Sequence, residues 1–525
     1  MAVLTNSIMF FQNQTYGYVY APQYNGIVWP AGPLAGKSGL IQLTNDYVVQ
    51  VTVPTGGSGY LNPVFTVGTP WVASTHFGQG SQYVSNGNVY TVTVAGTTGT
   101  TAPTATSGTF TDGTCTVNYA GTMAVLQCYP TGGSIINVNI VSGGSGYITT
   151  PPVTITDSGG GTGTGAYATV LLNNFPTGPL VPGAVFLDSY IVVGTTTGRL
   201  YTSGVNDPTT WGALDYLSAE SEPDSLVGIA KHLNYVLGFG QWSTEFFYDN
   251  GNIIGSPLTP AQSYKSEIGC ASGNSIVQFE QTVAWIGQSK ATGLAVYMMD
   301  GVSPIKVSTP YIERCLGNSN LTDVKAYAFK FNGHMFYVMT LHDLNMTLVY
   351  DVNEKTWYNW TMWAMGDADN GITGIYAEQY FRPSYYAGSG LNYYLLDDDT
   401  GQVYSLSDTN YTDAGAPIYY RAVTDIIDSG TTKRKFYNRV EIIGDKIPAT
   451  MKIRHTGDDY KTWSSYRQVD LNNTRSQIYQ TGQDRRRAWE FLCTDNVPLR
   501  LDSAEVDFVI GEMEQEGVAP TQYRK

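Results

Sequence analysis

Ile191-Val192-Val193, a polar turn, and then Gly198-Arg199-Leu200-Tyr201 form the stretch on which the fold is decided. A short apolar run bounded by turn residues reads as a strand, and the Gly-x-aliphatic-Tyr run behind it reads as its antiparallel neighbour. The same pattern stands at Ile8-Met9-Phe10-Phe11 with Gly17-Tyr18-Val19-Tyr20, and at Tyr394-Leu395-Leu396 with Gly401-Gln402-Val403-Tyr404. Looser copies are Tyr235–Phe239 leading to Phe246-Phe247-Tyr248, and Met335–Met339 leading to Leu348–Asp351. Hairpins repeated at intervals of roughly 40–60 residues are the sequence form of propeller blades. In Val349-Tyr350-Asp351 followed by Glu354-Lys355-Thr356-Trp357, the outer hairpin of a blade is expected, with its Trp packing between blades. A β-sandwich would contain similar strands; the spacing favours the propeller.

Working outward, residues 51–175 break this rhythm. Gly56-Gly57-Ser58-Gly59-Tyr60 with Pro63-Val64-Phe65-Thr66-Val67 recurs as Gly143-Gly144-Ser145-Gly146-Tyr147 with Pro151-Pro152-Val153-Thr154-Ile155. The section has scarcely any charge and alternates cleanly at Tyr90–Val94, so it reads as one compact Gly-rich β module inserted into a propeller loop. It could grip a neighbouring protein or a surface glycan, or it could be a neutral spacer. From residue 418 a further change brings Lys433-Arg434-Lys435, Arg439 and Arg485-Arg486-Arg487 into an otherwise acidic chain. Arg487, Trp489 and Phe491 share one face of a strand, Ala488, Glu490 and Leu492 the other, which suits a terminal β-sandwich-like unit. The expected fold is therefore all-β. It comprises a first propeller hairpin in 1–50, the inserted module in 51–175, propeller blades in 176–417 and a C-terminal β domain in 418–525.

Composition narrows the function. Charged residues are only 14% of the chain while Tyr (39) and Gly (58) are abundant, which favours strands, tight turns and uncharged contact surface. The net charge of −15 argues against a nucleic-acid binder with a basic footprint. The five cysteines (115, 128, 270, 315, 493) are too scattered for a disulfide framework, although Cys115 and Cys128 flank a hairpin and could face each other. No stretch is long and apolar enough to span a bilayer and no signal peptide is evident, so synthesis in a cytoplasm is expected.

Three further segments occur in succession. They are Phe186–Val193; Asp207-Pro208, Trp211, Leu214-Asp215-Tyr216, Ala219-Glu220-Ser221 and Pro223-Asp224; and Glu245–Tyr248, Ser266–Cys270 and Val283–Gly287. This succession resembles the tail-hub, or nozzle, proteins of short-tailed bacteriophages, also called packaged-DNA stabilisation proteins. The resemblance covers about 185–515, and residues 8–20 agree with it. It implies a homo-oligomeric ring, six copies strong, that continues the DNA channel below the portal. An adaptor ring would dock on one side and a tail needle, plug or fibre on the other. Such a protein sits in the virion tail after assembly in the host bacterial cytoplasm, and it passes DNA through an acidic lumen without sequence-specific binding.

No catalytic, cofactor-binding or metal-binding residue is expected. The five histidines are dispersed, and no HExxH, phosphate loop, dinucleotide fingerprint or Gly-x-Ser-x-Gly elbow is present. Asp397-Asp398-Asp399-Thr400-Gly401 lacks alternating ligand spacing and reads as a hairpin turn rather than a cation loop. Thr456–Trp463 approaches the Asp-box turn of sialidase propellers, with Tyr460 in place of Gly, and such turns are structural. Lys433, Arg434, Lys435, Arg485, Arg486 and Arg487 are the candidate interface. They could meet DNA phosphates, the acidic face of a neighbouring ring or carboxylates within the protein's own ring; protein contact is favoured because Arg suits carboxylate pairing. The rival reading is a glycan-binding adhesin or depolymerase on a propeller, using Trp357, Tyr358, Trp360 and Trp363 as a stacking surface.

Overall fold

The computed structural model describes residues 2–3, 8–24, 28–219, 224–252, 255–291, 293–365, 376–389 and 392–511; Glu220, Ser221 and Pro223 of the quoted motifs lie outside them. The chain divides into two compact units, Met1–Thr322 and Asp323–Lys525.

Outside the inserted segment, the strands of the first unit form antiparallel sheets in which spatial order follows chain order. One sheet runs Ala2–Val3, Met9–Gln12, Gly17–Tyr20 and Ile41–Gln42. A second runs Leu180–Leu187, Tyr190–Thr195, Arg199–Gly204 and Asp207–Ser218, and a third Leu226–His232, Tyr235–Gly240, Thr244–Asp249 and Leu258–Ser266. A fourth is built on Thr282–Ser289 and Gly293–Asp300. This up-and-down order is that of propeller blades. The hairpins expected from the repeat are all present as paired strands, with Phe10 opposite Val19, Val193 opposite Tyr201 and Leu237 opposite Phe246.

Burial on both faces explains why these strands read as continuous apolar runs. Ile191 and Val193 pack with Phe10, Val19 and Trp211 of one core, while Val192 between them packs with Ile229, Val236 and Phe247 of the next. Phe246, adjacent to Phe247, turns the other way, into the core around Phe239, Trp285 and Tyr297. The second and third sheets thus each share one core with the sheet before and another with the sheet after. Trp211, 1% exposed, stands edge-on to Phe175 with ring centroids 5.0 Å apart. Its truncation would cost about 3–5 kcal/mol.

The inserted segment is more elaborate than a single compact module. The chain leaves and returns side by side: Asn173 donates through Nδ2 to the Thr44 carbonyl (2.8 Å), and Tyr47 donates through its hydroxyl to the Thr209 carbonyl (2.8 Å). Strand Val48–Ser58 pairs with Thr164–Leu172, and Pro63–Val67 pairs with Val153–Asp157. In the second pairing Thr66 faces Thr154, with Val67 opposite Val153 and Phe65 opposite Ile155. Those are corresponding positions of the two sequence copies, so a local two-fold axis passes through the Thr66–Thr154 pair. The first strand of each copy pairs with the closing strand that follows the other: Tyr167 lies opposite Thr55, and Val125 opposite Ser142. The copies are interlocked.

In both copies the second and fourth residues of Gly-Gly-Ser-Gly have positive φ, at Gly57 and Gly59 (63° and 76°) and at Gly144 and Gly146 (68° and 81°). A Cβ at Gly57 would collide with the Thr164 carbonyl, and one at Gly144 with that of Thr122. These turns direct Tyr60 and Tyr147 into the shared core. Between the copies, residues 68–122 carry a four-stranded and a two-stranded sheet of their own around Phe77, Tyr83, Tyr90 and Val117, which makes a second core. Cys115 belongs to that core and Cys128 to the other, so the two do not face each other; all five cysteines are free and buried.

The second unit begins with a five-stranded sheet over Val324–Phe331, His334–Leu341, Met346–Asp351, Thr356–Met365 and Tyr376–Tyr380. Beside it lies a three-stranded sheet over Tyr385–Ser389, Asn392–Leu396 and Val403–Leu406. Phe329, Val338, Val349, Trp360 and Leu395 pack between the two sheets. Trp357 instead pairs with Tyr350 across its own hairpin, at 5.1 Å. A sandwich follows. One sheet holds Tyr420–Val423, Ala488–Cys493, Thr450–Thr456 and Arg467–Asp470. The other centres on Lys435–Gly444, flanked by Ser476–Tyr479, Gln483–Asp484 and Leu501–Ile510. Val440, Ile442, Met451, Ile453, Trp489 and Phe491 fill the space between.

Candidate interface on the C-terminal sandwich

The two basic triplets, far apart in sequence, are brought side by side. Lys435 lies opposite Asp484 in the sheet, and its ammonium donates to the carbonyls of Thr431 (2.6 Å), Lys433 (3.2 Å) and Arg485 (2.6 Å). All three donors of that group are used, and Lys435 is wholly buried. Arg487 is also buried. It donates through Nε (2.7 Å) and Nη2 (2.5 Å) to Asp484 and through Nη1 to Thr481, and its guanidinium lies 3.9 Å from the Tyr437 ring centroid. Burial pushes the guanidinium pKa down, against the pull of Asp484. Burial, with the Arg487 charge next, also lowers neighbouring His455 to about 4, which keeps it neutral.

Each triplet therefore spends its third member inside the fold and exposes its first two. Lys435 and Arg487 are internal clasps, and their charges are not available to a partner. Lys433, Arg434, Arg485 and Arg486 are exposed, and Arg486 pairs with Asp459 at 2.5 Å. Lys433, Arg434 and Arg485 have no ion pair among the described residues, and they form an exposed basic ridge where the backbones of the two triplets meet at the Lys435 ammonium.

Sequence reasoning missed the charge centre on the opposite face of the Ala488–Cys493 strand. Glu490, 1% exposed, accepts from Arg421 Nε (2.8 Å), Arg454 Nε (2.5 Å) and the Tyr466 hydroxyl (3.0 Å). Burial alone would raise its carboxyl pKa; hydrogen bonds from Arg454 and Arg421 outweigh it and hold the carboxyl below its ordinary range. Arg454 also lies 4.5 Å from the Tyr466 ring. The only sequence signal was a glutamate inside a strand whose other members are apolar.

The remaining motifs are structural. Asp188 and Ser189 both have positive φ, 45° and 76°, which makes the Leu187–Tyr190 connection a two-residue primed hairpin turn. Asp207 accepts from the Thr209 amide and from the hydroxyls of Thr209 and Thr210, and this turn seats Trp211. Gly269 passes so near the Gln241 carbonyl that a Cβ would collide with it. Asp397 caps its own turn by accepting from the amides of Asp399 and Thr400, while Asp398 pairs with Lys325. Asp458 accepts from the side chain and amide of Thr462 and from Thr456, which holds it down at about 2; Tyr460 takes the left-handed conformation, φ 64°, expected of the usual Gly. Of the aromatic group, Trp360 is packed among Phe329, Phe336 and Phe381, and the side chain of Trp363 lies outside the described residues.

Blade sheets that share cores with their neighbours, an insertion in the first loop and a terminal sandwich define an all-β propeller protein. The family model described as phage stabilisation, "Bacteriophage P22 Gp10, beta-propeller", matches residues 68–411. That is well over half of the chain, which belongs to this family and is a bacteriophage tail protein. The match takes in most of the inserted segment and stops before the sandwich. No curated protein matches. Similar solved structures include the computationally designed Ika8 protein (12% identity, 66% of this chain and 87% of that one, TM-score 0.25). A chain of the Mitotic Checkpoint Complex is another (11%, 71% and 100%, TM-score 0.26). So is the exo-β-1,3-galactanase of Phanerochaete chrysosporium with galactose (9%, 87% and 100%, TM-score 0.21). Likeness at this level carries no argument about function.

Proposed function

We propose that the protein is a tail-hub or nozzle subunit. Six copies form a ring that continues the DNA channel below the portal and adaptor, retains the packaged genome and lets it pass on infection. The role is mechanical, with no bond chemistry. The family match over residues 68–411 carries the reading. Two physical features support it. Sheets buried on both faces make a stiff scaffold, and a chain of net charge −15 offers DNA an acidic rather than an adhesive wall. In this reading the ridge of Lys433, Arg434 and Arg485 meets the acidic face of a neighbouring tail protein. Mass measurement of the chain alone and mixed with a portal–adaptor complex tests it. Incorporation as a six-fold ring is expected, and Lys433→Glu/Arg434→Glu/Arg485→Glu should lose it while the circular dichroism spectrum stays unchanged. A chain that remains monomeric in the mixture, or virions that hold their DNA without it, would overturn the proposal.

A further inference from the structure

The inserted segment has a chemistry unlike the rest of the chain. Residues 51–175 contain no Lys, Arg or Glu and only two aspartates. Both are consumed internally. Asp112 accepts from Trp71 Nε1, the Tyr83 hydroxyl and the Gly99 amide, each at 2.8 Å. Asp157 accepts from the amides of Leu61, Asn62 and Gly159. Apart from exposed His76 and the internally bonded carboxylate of Asp157, the outer surface is uncharged, and what remains to recognise a partner is aromatic, aliphatic, amide and hydroxyl.

The local two-fold axis makes two of these surfaces. On one closing strand Tyr167, Thr169 and Leu171 alternate with the core-facing Ala168 and Val170, and exposed Gln50, Thr52 and Thr55 stand on the partner strand. On the other, Val125, Gln127 and Tyr129 alternate with the buried Leu126 and Cys128, beside exposed Asn137 and Asn139. Each face presents one tyrosine and one aliphatic side chain four residues apart in the chain, with hydrogen-bonding side chains between and beside them. Tyr129 is 77% exposed and Tyr167 57%. Gln127 Nε2 donates to the Tyr129 hydroxyl at 2.9 Å, which ties that hydroxyl to the neighbouring amide.

We propose that these two faces bind uncharged carbohydrate. Nucleic acid and anionic lipid require cationic side chains, and a basic protein requires free carboxylates; the segment has neither. A hydrocarbon surface requires a continuous apolar patch, whereas here apolar and polar side chains alternate. A neutral glycan offers what the faces fit. Its C–H faces stack on Tyr129 or Tyr167 and on the aliphatic neighbour, and its hydroxyls exchange hydrogen bonds with Gln, Asn and Thr. The two faces are related but not identical, since Tyr167 opposite Thr55 stands where Val125 stands opposite Ser142, and two such sites on one interlocked module let a repeating polymer engage both, so that weak sites add through avidity. The inference does not depend on ring assembly.

The full-length protein, printed against an array of neutral, sialylated and phosphorylated oligosaccharides at about 50 and 500 mM NaCl, provides the test. Binding to neutral members should change less than twofold between the two salt concentrations. Tyr129→Ala/Tyr167→Ala should weaken it at least tenfold, either single variant should reduce it less, and Tyr129→Phe/Tyr167→Phe, which keeps the rings, should retain most of it. Equal melting temperatures would show that the exposed substitutions leave the fold intact. The proposal fails if no neutral glycan is retained, if only acidic glycans bind and salt abolishes it, or if the double alanine variant binds like the parent. It fails equally if the alanine variant loses incorporation into the tail while the parent shows no glycan binding, because the faces would then be protein contacts.

Discussion

The inserted module buries no cation at all, whereas the C-terminal sandwich buries a lysine, an arginine and a glutamate, Lys435, Arg487 and Glu490. Both are β structures with apolar cores, so the core alone does not separate them. What differs is how each holds its strands in register. The module uses backbone conformation: paired glycines with positive φ in two interlocked copies, at turns where a Cβ would meet a neighbouring carbonyl. The sandwich uses charge. Each buried ion has its complement, three carbonyls for Lys435, Asp484 with Thr481 for Arg487, and two arginines with a tyrosine for Glu490. Burying a charge is costly, and breaking such a set leaves the survivor unpaired. The module therefore carries little charge beyond Asp112 and Asp157, both hydrogen-bonded within it, while the sandwich depends on every member of its clasps.

The largest expected effect breaks a clasp. Arg487→Ala should destabilise the second unit by about 3–5 kcal/mol, read from denaturant unfolding, because Asp484 loses its partner and Tyr437 its cover. Arg487→Lys should recover little, since lysine lacks the planar fork that meets Asp484 and Thr481 together. A clean rescue by lysine would show that charge alone, not geometry, holds this region.

Next in size is the backbone test. Gly57→Ala and Gly144→Ala should each cost about 2 kcal/mol, from the left-handed conformation and the nearby carbonyl, as read from the thermal transition of the module. The two values should agree, because the sites correspond under the local two-fold axis. A large disparity between them would mean that the copies are not structurally equivalent.

The smallest effect concerns a carboxyl that no clasp receives. Asp413, against a cavity lined by Phe381, Leu395, Leu406 and Ile418, has its pKa pushed up to about 6 by burial. A raised native pKa penalises the ionised form. The penalty is full above pH 6, shrinks as pH falls through that value and is gone below the ordinary aspartate range. Asp413→Asn should therefore stabilise the second unit by about 1 kcal/mol at pH 8, discounted for partial exposure, and by nothing near pH 3. A gain that did not change between pH 8 and pH 3 would assign the effect to packing instead.

The blade hairpins were legible because their signal is local. Ile191–Val193 and Phe246-Phe247 are apolar without alternation, and a strand buried on both faces has no polar side to show. The duplicated Gly-Gly-Ser-Gly-Tyr was equally visible, yet nothing in it told that each copy would complete the other. That pairing is a matter of which strand meets which across a long loop. Of the six candidate interface residues, charge pattern found all the cations and could not sort them. Lys435 and Arg487 differ from Lys433 and Arg434 only in the direction their side chains take, which strand register decides. Glu490 carried no motif; its two arginines come from separate strands.

The sequence by itself determined the all-β character, the hairpins of the blades, the presence of an uncharged insertion and a basic change of composition near the end. All of these depend on neighbours within a few residues, where periodicity and turn chemistry act. Only the tertiary structure decided that the insertion is two interlocked copies around a shared core with a second core between them, and which cations are clasped and which are free. Those outcomes depend on contacts between segments tens of residues apart, and no local rule of side-chain alternation or backbone conformation encodes them.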